Sequence, residues 1–318
     1  MRKKVLVFLL AMLTVLGVMG TAFAEETSEV SIYDKPKGDA RWIDLAAEEY
    51  KLVFDLPYCG ENSSDSEILH LVIPEDENRH PVLVFVHGGA WSSNNSKDHK
   101  VTFTARAALR AVERGYAVAL VDYSLRGKAT PSAFPTQIYE VKAAVRYLRS
   151  VAEEYNLDSD RIALIGESAG GMLVNIVGTT NGEKQYDFEK YGNMEFSSDV
   201  QAVVGQYSMG QTDADTIIWL CGLEEDQEEE IQAMVEYTSA LNHVDENDPP
   251  FYLEHGLIDT TISYTQSCDL YNALYMAGIT ESELHLFPGM EHAVSWFQSE
   301  ENAEDYLRWL DNVLERNG

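Results

Sequence analysis

The sequence predicts an α/β fold, with a mainly parallel eight-stranded sheet, helices on both faces and a small lid insertion. Three observations carry that expectation. Short, continuously apolar runs rich in β-branched residues recur along the chain, Val82-Leu83-Val84-Phe85-Val86 being the clearest. Such a run is too short for a helix and fits a strand buried on both faces. Longer amphipathic stretches separate these runs, as helical crossovers between parallel strands require. Two leading runs, joined by a Gly/Asn/Ser/Asp-rich turn, predict an antiparallel pair at the sheet edge.

In chain order the expected strands are Tyr50 to Phe54, Ile68 to Ile73, Val82 to Val86, Ala117 to Val121, Ile162 to Ile165, Val200 to Val204, Phe251 to Leu253 and Leu284 to Phe287. The expected helices are Thr102 to Glu113, Pro135 to Tyr155, Ala169 to Gly178, Glu228 to Leu241, Tyr264 to Met276 and Glu300 to Leu314. In the second helix Ile138, Val141, Val145 and Leu148 fall at helical spacing on one stripe, and Pro135 suits a first turn. Asn181 to Ser198 and Gln211 to Asn247 interrupt the alternation with polar, acidic sequence and are candidates for a lid or pocket wall. With no repeat and no long low-complexity linker, residues 25–318 read as a single domain.

The first 24 residues read differently. Arg2, Lys3 and Lys4 precede an apolar run from Val5 to Met19, and Gly20-Thr21-Ala22-Phe23-Ala24 supplies the small residues of a cleavage site. This layout predicts a secretory signal peptide and an extracellular or periplasmic protein. A transmembrane anchor is the alternative, but Ala22 and Ala24 stand where signal peptidase cuts. The charge balance, 53 acidic against 23 basic residues for a net −30, repels nucleic acid and anionic membranes. Neither is expected as a partner. The acidic residues are spread along the chain, with one dense run from Glu224 to Glu230, and serve to keep an exported protein in solution. Cys59, Cys221 and Cys268 are odd in number, so at least one thiol is free or pairs between molecules, and none is spaced like a metal ligand or a redox pair.

Ser168 lies in Gly166-Glu167-Ser168-Ala169-Gly170, directly after an expected strand and before an expected helix. A nucleophile on so tight a turn needs small neighbours, and the helix N-terminus behind it favours developing negative charge. His87-Gly88-Gly89-Ala90-Trp91 leaves the end of another strand. Acyl transfer passes through an oxyanion that needs preorganised donors, and the amides of Gly88, Gly89 and Ala169 are the candidates.

A serine hydroxyl also needs a base and a carboxylate to orient it. Of the histidines, His70, His80, His99 and His243 sit in polar contexts and read as surface residues, while His87 belongs to the glycine turn. His255 and His285 fall at or in strands. His292 lies in a loop, Pro288 to Ala293, after the last strand. Asp259 lies just beyond the preceding strand, where open α/β sheets place their sites. Asp245, Asp248 and Glu254 are weaker candidates because they precede or occupy that strand. The aromatic residues Trp91, Tyr123, Tyr207, Trp219 and Trp296 flank these loops and are candidates for a substrate pocket.

From Val82 to His292 the sequence resembles the α/β-hydrolase esterases related to the hormone-sensitive-lipase group, especially BD-FAE-like and acetyl-esterase-like members. The resemblance rests on Val84 to Trp91, Gly115-Tyr116-Ala117-Val118, Asp122-Tyr123, Arg161 to Gly171, Pro249-Pro250-Phe251 with His255-Gly256, and Gly289 to His292. It implies an α/β-hydrolase fold, Ser168 as nucleophile, His292 as base, Asp259 as orienting acid, and Gly88, Gly89 and Ala169 as oxyanion donors. The chain departs from the family with Ser124 after Asp122-Tyr123, where Arg is frequent, and with Ile262-Ser263 in place of a Val-Pro pair. The implied activity is hydrolysis of short-chain acyl esters, acetyl or feruloyl groups on carbohydrate, through an acyl-enzyme. That chemistry needs no metal or organic cofactor. A peptidase or amidase on the same scaffold is the first alternative, and a catalytically silent binding protein the second.

Overall fold

Alternation along the strands divides the interior into two cores. The structure is a computed structural model that describes residues 50–60, 63–64, 66–92, 107–126 and 134–316. Strands β1 (Tyr50–Pro57), β2 (Ile68–Pro74), β3 (His80–Val86), β4 (Ala117–Val121), β5 (Leu157–Glu167), β6 (Ala202–Gln206), β7 (Phe251–Gly256) and β8 (Glu283–Phe287) form one sheet. Its order is β1-β2-β4-β3-β5-β6-β7-β8. The pairs β1/β2 and β2/β4 are antiparallel, and the other neighbours are parallel. The helices are α1 (Thr136–Ser150), α2 (Ala169–Gly178), α3 (Ala214–Cys221), α4 (Glu228–Thr238), α5 (Thr265–Ala277) and α6 (Glu300–Arg316). Residues 107–113 are also helical.

Successive side chains of a strand point to opposite faces. Val82, Val84 and Val86 therefore join Ile138 and Val141 of α1 and Leu173 and Val177 of α2. Leu83 and Phe85 join Ala108, and Tyr306 and Leu310 of α6, on the other side. The continuous apolar character of β3 follows from having both faces covered.

The register positions the site. Val86 of β3 lies beside Gly166 of β5, Gly166 beside Gly205 of β6, and Glu167 beside Gln206. The chain consequently leaves β3, β5 and β6 at one level of the sheet's C-terminal edge.

Several expected boundaries shift. β6 starts at Ala202 rather than Val200, since Gln201 is engaged sideways with Ile162 through its amide and side chain. The second expected helix stops at Ser150 instead of continuing to Tyr155, and the chain turns there so that β5 begins at Leu157. The fourth ends at Thr238, where the hydroxyls of Thr238 and Ser239 bond back to Met234 and Val235 carbonyls. Helix α3 lies within the segment read as polar insertion. His70 and His80, read as surface residues, are buried: His70 Nδ1 accepts the Asp55 amide (3.0 Å), and His80 Nδ1 meets the Gly115 carbonyl (2.8 Å). His243 is half-buried against Tyr186. The expected signal peptide, His99 and residues 102–106 of the first expected helix lie outside the described residues. No helix among the described residues is long and apolar enough to cross a membrane. All three cysteines are free thiols.

The carboxyls of Glu140 and Glu254 are completely buried. Glu140 of α1 accepts the Ser124 amide (2.8 Å) and hydroxyl (2.6 Å), and burial still pushes it up to about 7. Glu254 of β7 accepts from Gln206 (2.7 Å) and Asn302 (3.0 Å), and burial likewise pushes it up to about 7. A carboxyl raised in the fold contributes stability below its unfolded value of about 4.3 and loses it as pH rises through the folded value. Unfolding free energy measured by denaturant titration should therefore fall between pH 4.5 and 7. Glu254→Gln should flatten that fall, the variant gaining roughly 3 kcal/mol on the parent from pH 4.5 to 8. Parallel pH profiles for the two proteins would show that Glu254 ionises freely within the fold.

Candidate active site

Ser168 occupies the junction of β5 and α2 with φ 52° and ψ −117°. A non-glycine residue held there stores strain of about 1–3 kcal/mol, so its surroundings must enforce the conformation. They do so on both sides: the Ser168 amide donates to the Gln206 carbonyl (3.0 Å) and its carbonyl accepts from the Met172 amide (3.0 Å). A Cβ on Gly170 would lie 2.1 Å from the Val86 carbonyl oxygen, and one on Gly166 would lie 2.4 Å from the Gly170 carbonyl oxygen. Those two glycines let β3, β5 and α2 close around the serine.

The other two members arrive from the far half of the sheet. Ser168 Oγ lies 2.9 Å from His292 Nε2, and His292 Nδ1 lies 2.8 Å from Asp259 Oδ2. The carboxylate only accepts, so Nδ1 carries the hydrogen and Nε2 is left to accept from the serine hydroxyl. The loops after β7 and β8 are clipped together, Ile258 donating to the Met290 carbonyl (3.2 Å) and Thr260 to Glu291 Oε2 (3.1 Å). This clip holds Asp259 against His292.

Asp259 is fully engaged. Its Oδ1 accepts the amides of Thr261 and Ile262, both at 2.8 Å, and its Oδ2 faces His292 and His255 Nε2 (3.2 Å). His255 Nε2 also faces the Ile262 carbonyl at 3.0 Å, so it carries a hydrogen, while Nδ1 meets the Ser267 hydroxyl at 2.8 Å. Burial alone pushes the Asp259 carboxyl up. Hydrogen bonds from His255 and His292, the electrostatic attraction of His292 and the Ile262 amide outweigh it and hold the carboxyl well below the usual range.

A family model described as BD-FAE matches residues 69–274. The chain belongs to the BD-FAE family. It is similar to Esterase LipC of Mycobacterium tuberculosis, 27% identical over 223 residues, covering 67% of this chain and 52% of LipC. Among solved structures it is similar to a truncated carbohydrate esterase from gut microbiota, with TM-score 0.73 and 25% identity, covering 84% of this chain and 97% of that one. It is also similar to a bifunctional GH43-CE protein of Bacteroides eggerthii, with TM-score 0.70 and 26% identity, covering 82% of this chain and 38% of that one. The chain spans about half the length of the curated relatives it matches. The eight-stranded, mostly parallel sheet is the α/β-hydrolase fold.

Within this BD-FAE chain several sequence expectations need correction. The Gly88 amide does not face the serine as an oxyanion donor, because it donates to Glu167 Oε1 at 3.1 Å. Gly89, with φ 102°, and Ala169, the first residue of α2, are the remaining candidates. Tyr123 and Tyr207 do not line a pocket. Tyr123 is buried, stacks on His87 and donates to its carbonyl (2.7 Å). Tyr207 is buried and donates to Glu167 Oε2. Trp296 is half-buried and packs on Phe287 in the loop beyond His292. Trp91 and Trp219 face each other at 6.5 Å beside the glycine turn.

Of the two candidate lid segments, 181–198 packs on α1 through the Arg146–Asp187 ion pair and the ring contact of Tyr139 with Phe188. No hydrogen bond, ion pair or ring contact joins that segment to Ser168, Asp259 or His292 among the described residues. The segment 211–247 meets the turn after β3 through the ring contact of Trp219 with Trp91. No cluster of three or more His, Cys, Asp or Glu side chains among the described residues is arranged to hold a metal ion.

Sequence reasoning missed Glu167 and His255 as parts of the site. Glu167 joins the glycine turn to Tyr207, whose ring lies edge-on to the His292 ring at 4.9 Å. Glu167→Ala should therefore loosen the glycine turn while leaving Ser168 and His292 in place. The expected loss in kcat on p-nitrophenyl acetate is about 10–100-fold, below the roughly 10²–10³ cost of deleting an oxyanion donor outright. A variant with unchanged kcat would show that Glu167 only packs beneath the turn.

Proposed function

We propose that this BD-FAE member is an exported serine carboxylesterase that cleaves short-chain acyl esters on carbohydrate, acetyl or feruloyl groups among them. The observation that carries the reading is the unbroken path from Ser168 Oγ through His292 to Asp259, at 2.9 and 2.8 Å. His292 Nε2 takes the serine proton as Oγ attacks the ester carbonyl, and Asp259 stabilises the imidazolium that forms. The amide of Ala169, at the N-terminus of α2, and that of Gly89 receive the oxyanion. His292 then returns the proton to the departing alcohol. A water deprotonated by the same nitrogen attacks the acyl-enzyme and frees the acid.

Support for the carbohydrate-linked ester is the likeness to the gut-microbiota carbohydrate esterase, which covers nearly all of that protein. Support for export is the charge, apolar run and small-residue site of residues 1–24.

Ser168→Ala should lower kcat on p-nitrophenyl acetate by about a thousandfold or more and abolish labelling by a fluorophosphonate probe, with the thermal midpoint little changed. Undiminished turnover by that variant would place the nucleophile elsewhere. A series of p-nitrophenyl esters from acetate to decanoate, run beside acetylated xylan, tests the acyl length. Preference for decanoate would overturn the short-chain reading and leave the hydrolase reading intact.

A further inference from the structure

We propose that Arg126 reads a negative charge on the substrate, so that this site favours esters carrying a carboxylate close to the scissile bond. This rests on the ester-hydrolase reading and names the substrate class within it.

The observation that singles out Arg126 is what it lacks in so acidic a chain, with 53 acidic residues against 23 basic ones. Arg79, Arg110, Arg114, Arg146, Arg161 and Arg308 each have a carboxylate within salt-bridge distance. Arg149 instead donates to three backbone carbonyls and comes within 3.4 Å of Gln201 Oε1. Arg126 has no carboxylate partner among the described residues. Its Nε donates to the Trp219 carbonyl (2.7 Å), its guanidinium lies over the Trp219 ring at 4.4 Å, and no described residue accepts from its two terminal nitrogens. Burial lowers its guanidinium, with no neighbouring carboxylate to offset that. A half-buried guanidinium stacked on an aromatic plane with its outer fork open is preorganised for a planar anion.

Its place is beside the glycine turn that follows β3. The Arg126 amide donates to the Trp91 carbonyl at 2.6 Å, and Trp91 lies two residues past Gly89. Ala90 and Trp91 both have left-handed backbone, φ 52° and 51°, a conformation costly for non-glycine residues. That turn sets the Trp91 ring against Trp219 and so joins the glycine turn to the helix that carries the stacking partner of Arg126. Loops leaving β3, β4 and β6 at one edge of the sheet thus converge on this guanidinium.

Matched ester pairs test the proposal at about 0.15 M salt, where the long-range field of the acidic surface is screened. One pair places the carboxylate on the acyl side, the mono-p-nitrophenyl ester of succinic acid against p-nitrophenyl butyrate. The other places it on the alcohol side, acetylated methyl glucuronoside against acetylated methyl glucoside. The ratio of kcat/KM for the charged over the neutral ester is read within each variant, which cancels any general loss of folded enzyme. In at least one pair Arg126→Gln should lower that ratio about 10–100-fold. Trp219→Ala should lower it by less, and Arg126→Lys should keep part of it, since an ammonium supplies charge without the stacked fork. The same ratios in parent and Arg126→Gln for both pairs would overturn the proposal. Failure of the parent to cleave any of the four esters would instead overturn the ester-hydrolase reading.

Discussion

The site depends on one steric constraint, the closure of β3, β5 and α2 around the left-handed backbone of Ser168. Gly170 touches the carbonyls at the end of β3, so the turn that leaves β3 must pass directly beside the nucleophile. Anything larger at that position would push the glycine turn away from the serine. The register of β3, β5 and β6 delivers their chain ends at a common level, and the Gln206 carbonyl then holds the Ser168 amide. Strain at Ser168 persists because packing, hydrogen bonding and register all oppose its release.

A second constraint governs the proton path. The Asp259 carboxylate is saturated by two backbone amides and two imidazoles, so it has no freedom to rotate away from His292. His255 is completely enclosed, and its other nitrogen rests on Ser267 of α5. The orientation of the base is thereby linked to the packing of helix α5. Glu167 does the equivalent on the nucleophile side, tying Gly88 to Tyr207.

The parts of this architecture legible in the sequence are those with a local signature. Val82 to Val86 reads as a buried strand because both faces are covered, and Ser168, Asp259 and His292 stand out by following strand ends. What was not legible depends on pairs remote in the chain. Nothing near Gly88 announces that its amide belongs to a carboxylate 79 residues away, so from the sequence alone it reads as an oxyanion donor. Tyr123 and Tyr207 follow strands closely enough to resemble pocket residues, but the direction of a side chain just past a strand is set by the turn it enters. Helix α3 carried readable signals, Asp213 capping the Thr216 amide and Gly222 in left-handed conformation, hidden by the acidic composition around them.

The sheet order has a consequence for how the protein fails. His292 is carried by the loop after β8, and among the described residues β8 is an edge strand with a single neighbour, β7. The nucleophile sits in the middle of the sheet, between strands paired on both sides. Outer strands open at lower free energy than central ones. Separation of β8 from β7 would carry the base out of reach of a serine whose surroundings remain folded. Heat or denaturant should therefore silence the protein through loss of one margin before the interior gives way, so that activity would report on the sheet's rim rather than on the melting of the whole.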